Sequence, residues 1–343
     1  PPLTLVNGRP AVRRSLSRMP TTPHSPAALR AVCERMIAAL RAGAVPAVSP
    51  DELPCFTAEA LAGDPNVKPA MLAGVLAALG PDDVPTLARA LLAIDRNERA
   101  WLGFKIVTDP AKATDSEDTD VVAFKGKGQG SADARSGVFV VVNPTLGRDA
   151  EIVFSRKYSQ RDWLQIVDCT RGPHMHDEQY AGVYWKSAAL FRQERVFLLG
   201  ASPVAAQVAR VANMVDFLTV AVDDDPAYLN PERFPGSERV LVPGWDRLPD
   251  LGIGPDDHVC VLTRGHMHDP EALVYAVRSG AGYVGMMGAA EKNARVFELA
   301  EQHVPRAKLE ATHTPIGIRF GARTPVELAM SVVAELIQVR DQR

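Results

Sequence analysis

The stretch Val196-Phe-Leu-Leu-Gly200-Ala-Ser-Pro203 decides the fold of this sequence. Four consecutive apolar residues that end in a glycine are typical of a strand buried on both faces, and a proline directly after a serine is typical of the start of a helix. Working outward, further apolar runs cover 217–222, 239–242, 258–262 and 282–285, and helical patterns cover 203–214, 270–279, 289–303 and 324–340. This alternation predicts an α/β domain with a Rossmann-like, doubly wound parallel sheet over residues 185–343.

The residues before 185 differ from this domain in composition and in hydrophobic pattern. Residues 1–24 are rich in proline and arginine, and we expect a flexible arm. Residues 25–184 predict a separate α+β domain, with helices over 25–98 and strands over 101–184. Ser25 and Pro26 are suited to begin the first helix and Gly43 to end it, and further helices are predicted at 71–79 and 84–94. The predicted strands cover 104–107, 121–124, 137–142, 151–154 and 163–167.

Composition narrows the function classes. The net charge is −3, so we expect no nucleic-acid partner and no attraction to an anionic membrane. No apolar run approaches the roughly 20 residues that a membrane-spanning helix needs. The four cysteines form no Cys-x-x-Cys pair, which favours a reducing cytoplasm over a disulfide framework or a zinc ribbon.

The turn after the first buried strand resembles a dinucleotide-binding turn in part. Glycines there let a pyrophosphate approach the start of the following helix, but Ser202 and Ala205 stand at the second and third glycine positions. Gly200 preserves the turn itself. Asp223 follows the glycine turn by about 20 residues, the sequence spacing expected for an acid that binds a ribose. Asp224 and Asp225 are interpreted as a solvated acidic turn. No arginine is adjacent in sequence, which argues against a ligand with a 2′-phosphate.

The loop after the fourth predicted strand, Thr263-Arg-Gly-His-Met-His-Asp269, contains one arginine, two histidines and one aspartate. Arg264, His266 and His268 are suited to bind an anion, to ligate a metal or to transfer protons, while Asp269 is also suited to cap the next helix. Two histidines alone are too few for a metal site, and we predict none. A similar string at 170–177 is interpreted as coincidence, although the two loops together remain a candidate metal site.

Two glycine-rich segments are further candidates for anion binding. Gly288 opens a helix whose backbone amides are suited to hold an anion, with Lys292 one turn inside. The alternative is a tight strand-to-helix turn with a solvated lysine. The basic loop at 125–131 is a weaker candidate for binding phosphate.

The strings 262–269, 283–288, 313–317 and 324–337, in this order, resemble the XdhC/CoxF family of accessory proteins for molybdenum hydroxylases. The likeness covers 195–343 and leaves the N-terminal half divergent. Members usually carry Gly-Ser-Arg-Arg-Lys where this chain has Gly288-Ala-Ala-Glu-Lys292, and the family's N-terminal glycine-rich strings are absent here.

The resemblance implies a chaperone that binds the molybdenum cofactor (molybdopterin), or a nucleotide-type cofactor, for maturation of an apo molybdenum hydroxylase. It also implies a possible cysteine desulfurase partner and a homodimer. In this hypothesis Arg264 grips phosphate and His266 faces the reactive centre. The cofactor-binding residues would be Gly200, Ser202, Asp223, Arg264, His266, Gly288 and Lys292.

An enzyme of a different class is the alternative. An NAD(P)-dependent oxidoreductase could have reused the same fold, with His266 or His268 as general acid or base and Asp223 on the ribose. The fold alone does not choose between a carrier and an enzyme.

Overall fold

The computed structural model of the protein describes residues 4–5, 25–62, 64, 66–113, 133–144, 150–171 and 182–341. The chain divides into two compact units. The N-terminal unit is Pro20–Arg192, and the C-terminal unit combines Gln193–Arg343 with Pro1–Met19. Of the expected flexible arm, the described part is a short strand, β1 (Thr4–Leu5), and the rest of the arm lies outside the described residues.

Helices open the N-terminal unit, as the sequence predicts. They are α1 (Pro26–Arg41), α2 (Met71–Ala77) and α3 (Val84–Arg96). Ser25 caps α1, because its Oγ accepts a hydrogen bond from the Ala28 backbone N–H at 3.2 Å. The apolar faces of these helices pack on one side of the sheet that follows and form a single core with it.

That sheet has four antiparallel strands. They are β2 (Ala100–Val107), β3 (Gly137–Val142), β4 (Glu151–Phe154) and β5 (Val183–Ala189), in the order β4-β3-β2-β5. A short helix, α4 (Pro110–Ala113), follows β2. The strand predicted at 121–124 and the basic loop at 125–131 lie outside the described residues.

The strand predicted at 163–167 is wrong, because this segment lies in a helix, α5 (Gln160–Asp168). Its apolar run is typical of strands, but a capping box precedes it. The Ser159 Oγ accepts from the Asp162 N–H, and the Asp162 carboxylate accepts from the Ser159 N–H, both at 3.1 Å. Trp163, Ile166 and Val167 then fall on one buried face at helical spacing.

The boundary between the units lies at 192/193 rather than at the expected 184/185. The reason is β5, which the sequence analysis did not predict as a strand. It pairs with β2 from Trp101–Ala189 to Val107–Val183, so its residues complete the N-terminal sheet.

The C-terminal unit alternates strands and helices, as predicted. Its strands are β6 (Arg195–Leu199), β7 (Leu218–Asp223), β8 (Glu238–Leu241), β9 (His258–Val261) and β10 (Tyr283–Met286). Its helices are α6 (Pro203–Met214), α7 (Asp269–Arg278), α8 (Ala290–Ala300), α9 (Arg306–Glu310) and α10 (Pro325–Asp341). The strand order is β1-β8-β7-β6-β9-β10, and every pairing is parallel. This topology confirms the predicted Rossmann-like fold.

Apolar cores lie on both faces of this sheet. Val196 and Leu198 of β6 point into the core with α6 and α10, whereas Phe197 and Leu199 point into the core with α7 and α8. In the sheet β6 lies between β7 and β9, so the chain adds β7 and β8 on one side of β6, and β9 and β10 on the other. In folds of this kind the crevice for a ligand opens at the carboxyl ends of the strands where the order reverses. Within the described residues, no helix is long and apolar enough to cross a membrane.

Candidate functional site

The turn after β6 requires its glycine. Gly200 has a φ of +116°, and a Cβ there would lie 2.4 Å from both the Leu262 carbonyl oxygen and the Thr263 Cα. The ends of β6 and β9 therefore approach each other more closely than any side chain allows. Ser202 begins α6: its Oγ accepts from the Ala205 N–H at 3.2 Å, and Pro203 takes the first helical position.

Asp223, at the end of β7, forms hydrogen bonds with the turn after β6, with the segment after β7 and with the loop after β9. It is 1% exposed. Its carboxylate accepts from the backbone N–H of Ala201 at 2.6 Å and of Asp225 at 3.0 Å, and from the Arg264 guanidinium at 3.1 Å. The predicted ribose-binding acid is therefore already occupied by partners from its own chain.

Arg264 is neutralised by carboxylates. Besides Asp223 it pairs with Asp224 at 3.2 Å and Asp225 at 3.7 Å, so the expectation that these two acids form only a solvated turn is wrong. Its guanidinium carbon lies 4.2 Å from the centre of the Tyr228 ring. Burial acts to lower the pKa of Arg264, but the hydrogen bond to Asp223 and the charges of the three aspartates together outweigh burial and raise it. An anion would have to compete with three carboxylates for this arginine.

A second network joins the β9–α7 loop to α8. The buried Asp269 carboxylate accepts from the Thr263 hydroxyl at 2.5 Å and from the Lys292 ammonium. Lys292 also donates to the Met287 carbonyl at 2.8 Å. Asp269 thus bonds to side chains rather than to the first amides of α7, which overturns its expected capping role, and Lys292 is not a solvated lysine.

His266 contacts both members of that pair. Its Nδ1 lies 3.0 Å from the Asp269 carboxylate and 2.7 Å from the Lys292 ammonium. A ring nitrogen donates when protonated and accepts when not, so only one of these contacts is a hydrogen bond at a time. His266 therefore lies against the ion pair of Asp269 and Lys292.

His268 points elsewhere. Its ring stacks on Trp245, with ring centres 5.8 Å apart and planes 12° apart. The two histidines of the loop therefore have different partners. No group of three or more possible metal ligands occurs in the described parts of the chain. The similar histidine string at 172–177 lies outside those parts.

The end of β10 leaves a helix start open. The residue that precedes α8, Ala289, provides no side-chain cap. Gly288 has a φ of +151°, and a Cβ there would lie 2.3 Å from the Asn293 Oδ1. Asn293 is 4% exposed and donates from Nδ2 to the Gly288 carbonyl, but its Oδ1 accepts no hydrogen bond from the described residues. This end of the sheet combines a helix start that has no side-chain cap with a glycine whose missing side chain leaves room for Asn293 and Lys292.

One polar network was not predicted from the sequence. The Glu335 carboxylate on α10 accepts from the Tyr283 hydroxyl and the Gly317 N–H, both at 2.6 Å, and lies 2.9 Å from the His313 Nδ1. Burial raises the pKa of Tyr283. The network attaches α10 to the strand edge at Gly285, where His313 forms a parallel bridge.

Arg233, in the segment between β7 and β8, is a second residue that the sequence analysis missed. Its Nη2 donates to the Ala201 carbonyl at 3.0 Å, beside the turn after β6. Arg233 belongs to no recognisable sequence motif and is distant from Ala201 in sequence, so the sequence gives no sign of this contact.

The fold and this edge define a doubly wound α/β domain with a polar crevice at the carboxyl ends of its strands. Residues 196–336 match the family model of the XdhC Rossmann domain. This match confirms, over this part of the chain, the resemblance found from the sequence.

Relatives match over the same share of the chain. A Bacillus subtilis (strain 168) protein, named as a probable xanthine dehydrogenase subunit, is 30% identical over 147 residues, which are 43% of this chain and 43% of that protein. The Escherichia coli (strain K12) protein YqeB is 32% identical over 151 residues, 43% of this chain and 27% of that protein. The matches therefore span less than half of either curated relative.

A solved structure is also similar. It is a crystal structure described as a xanthine dehydrogenase from Bacillus halodurans, 18% identical, with a TM-score of 0.41 over 76% of this chain and 68% of that one.

Proposed function

We propose that this protein is an accessory protein of a molybdenum hydroxylase, and that its C-terminal unit holds a small anionic cofactor of the molybdenum-pterin or nucleotide type during maturation of that enzyme. The match of residues 196–336 to the XdhC Rossmann domain and the name of the B. subtilis relative support the accessory role.

The observation that carries the proposal is the β9–α7 loop. Its Arg264 bonds to the end of β7, and its Asp269 bonds to Lys292 behind the end of β10. One loop thus gathers polar groups at the edge where open α/β sheets bind their ligands.

The start of α8 fits a phosphate-bearing group. Four N–H groups at a helix start have no partner within the helix, and Ala289 provides no side-chain cap for those of α8. The buried Asn293 Oδ1, which accepts no hydrogen bond from the described residues, lies beside Gly288. When bound, the molybdenum cofactor would supply the pterin-held metal that its client enzyme uses for redox chemistry. This chain's own contribution is to hold the anionic group, with His266 placed beside it by Lys292.

The partners follow from the same role. We propose that an apo molybdenum hydroxylase receives the cofactor, that a cysteine desulfurase is a second partner, and that the chain acts as a homodimer. All four cysteines are free thiols, which supports a reducing compartment such as the cytoplasm.

The oxidoreductase alternative draws on Asp223, which ends β7 where a ribose-binding acid would lie. Its oxygens already accept from Ala201, Asp225 and Arg264. Binding of a ribose there requires Arg264 to move away first, so the alternative needs a rearrangement that the carrier role at α8 does not.

A thermal-shift titration with molybdopterin-type cofactor, NAD(H), NADP(H) and simple nucleotides tests the proposal. A ligand at 100 times its Kd stabilises the protein by about 2.7 kcal/mol. Ala290→Glu should abolish the shift, because it adds a negative charge at the first position of α8. Ala294→Glu is the matched control, since it adds the same charge one turn further along the exposed face.

A pterin-cofactor shift that Ala290→Glu removes and Ala294→Glu preserves is the expected result. No shift with any of these ligands would overturn the proposal. A shift with a nicotinamide dinucleotide alone would favour the oxidoreductase, and reduction of that dinucleotide with candidate substrates would then be measured.

A further inference from the structure

Among the described residues, Arg233 is a cation without a carboxylate partner, and its side chain is only half-buried. Its Nη2 donates to the Ala201 carbonyl, and its guanidinium carbon lies 5.5 Å from the centre of the Tyr228 ring. Its Nε is buried and has no hydrogen-bond partner in the described part of the chain. A guanidinium has five N–H donors, so most of the hydrogen-bonding capacity of Arg233 is unused.

The other two cations that we place at this edge differ from it. Arg264 lies within 3.7 Å of three carboxylates, and Lys292 is paired with the buried Asp269. An anion that approached either of them would have to displace a carboxylate. Arg233 has no such competitor among the described residues, so its charge is available to a ligand.

The turn beside Arg233 is poor in backbone donors. Pro203 has no N–H, and the Ala205 N–H is taken by the Ser202 hydroxyl. The Ala201 N–H is taken by Asp223. At the start of α6 this leaves at most the N–H groups of Ser202 and Val204, fewer than a glycine-rich turn offers to a pyrophosphate.

We propose that Arg233 replaces those lost donors and anchors a phosphate or diphosphate group at the β6–α6 turn. The planar guanidinium fork matches two phosphate oxygens, and its contact with Ala201 fixes it at the place where doubly wound folds hold a pyrophosphate. This site rests on the proposed function, in which the C-terminal unit holds an anionic cofactor. It moves the phosphate-gripping role from Arg264, where the sequence analysis placed it, to Arg233.

Calorimetric titration of the full chain with inorganic pyrophosphate, and separately with ADP, tests the anchor. Arg233→Gln should weaken binding of both probes roughly 10- to 100-fold, the usual range for losing a charge-assisted hydrogen bond. Arg233→Lys should lie between wild type and Arg233→Gln, because it retains the charge and loses the fork. Binding of ADP alone would assign the site to a phosphate ester rather than to free pyrophosphate.

Arg210→Gln is the matched control. Arg210 is exposed on α6 and also donates from Nη2 to a backbone carbonyl, that of Glu232 at 3.2 Å. It removes the same charge and the same kind of hydrogen bond, and it should change the affinity less than twofold. The melting temperatures of the unliganded variants identify any that fail to fold; if Arg233→Gln does, Arg233→Lys carries the test.

Equal affinity of Arg233→Gln and wild type would overturn the anchor and leave the proposed function in place. If neither pyrophosphate nor ADP binds to wild type, the anchor is also overturned. The proposed function is judged separately, by the response of the Ala290→Glu variant to the larger cofactors.

Discussion

The ion pairs in the core of the N-terminal unit and those at the carboxyl edge of the C-terminal sheet have different surroundings. In the described part of the N-terminal unit, three ion pairs have both members buried. Burial lowers the pKa of Lys105 and raises the pKa of its partner Asp162, so removal from water dominates over their mutual attraction. The enclosed pairs are Lys105–Asp162, Lys186–Asp64 and Arg156–Asp83.

At the carboxyl edge of the C-terminal sheet, only the acid of each pair is buried. Asp223 and Asp269 have side chains that are 1% exposed, whereas those of Arg264 and Lys292 are 30% and 27% exposed. Charges enclosed on both sides serve the fold, because neither partner can leave without a large cost. A cation that faces water on one side can exchange its partner, which is what a binding site requires.

The largest effect should come from removing one member of an enclosed pair. Asp83→Asn leaves the Arg156 guanidinium buried without its carboxylate, and we expect the free energy of unfolding to fall by about 3–5 kcal/mol. Asp223→Asn should cost about 1–3 kcal/mol, because Arg264 retains Asp224, Asp225 and water. Urea unfolding followed by tryptophan fluorescence measures both. Equal costs would remove the distinction between enclosed and open pairs.

An intermediate effect should come from filling the turn after β6. Gly200→Ala places a methyl group against the Leu262 carbonyl at a positive φ, and we expect a loss of about 2–4 kcal/mol in the free energy of unfolding. Gly43 of the N-terminal unit has a φ of +69° and open space around it, so Gly43→Ala should cost only about 1–2 kcal/mol. If the two variants unfold at the same urea concentration, the close approach of β6 and β9 is not what makes Gly200 necessary.

The smallest effect concerns one capping box in each unit. Backbone N–H groups of Thr324 and Arg323 lower the pKa of Glu327, and the Ser49 N–H lowers the pKa of Glu52. A lowered pKa in the folded state adds stability above the ordinary glutamate value, about 4.3, and this stability is lost as the pH falls through the folded pKa. NMR titration should find both pKa values below the ordinary one, and Glu327→Gln should flatten the acid side of the stability profile. A Glu327 that titrates at the ordinary value would contradict the capping box.

The C-terminal unit was predictable because its buried strands are apolar runs with helical patterns between them. The first of these helices, α6, also carries the start signal Ser202-Pro203. The N-terminal unit was harder. The segment 163–167 has β-prone residues, and only the reciprocal bonds of Ser159 and Asp162 make it helical. The strand β5 was missed because its partner β2 lies far away in the sequence.

The positions of the site residues in the fold were predictable from the sequence, but the residues to which they bond were not. The sequence placed Gly200, Arg264 and Gly288 just after strand ends, where the structure has them. Asp223 is the last residue of β7, and Lys292 lies in the first turn of α8. It could not give the bonds from Arg264 to three aspartates, because those acids lie about 40 residues earlier in the chain. The same holds for Arg233, whose contact with Ala201 depends on how the segment after β7 folds back.

The short strand β1 has a consequence for how the protein can be divided. It pairs with β8, so the chain contributes to the C-terminal sheet, leaves to build the N-terminal unit and then returns. The N-terminal unit is thus an insertion within the other unit rather than a module attached in front of it. A fragment that starts at residue 193 would leave the outer edge of β8 unpaired, and unpaired strand edges recruit other chains. Expression of the C-terminal unit alone would therefore be best attempted with the first residues joined to it by a linker.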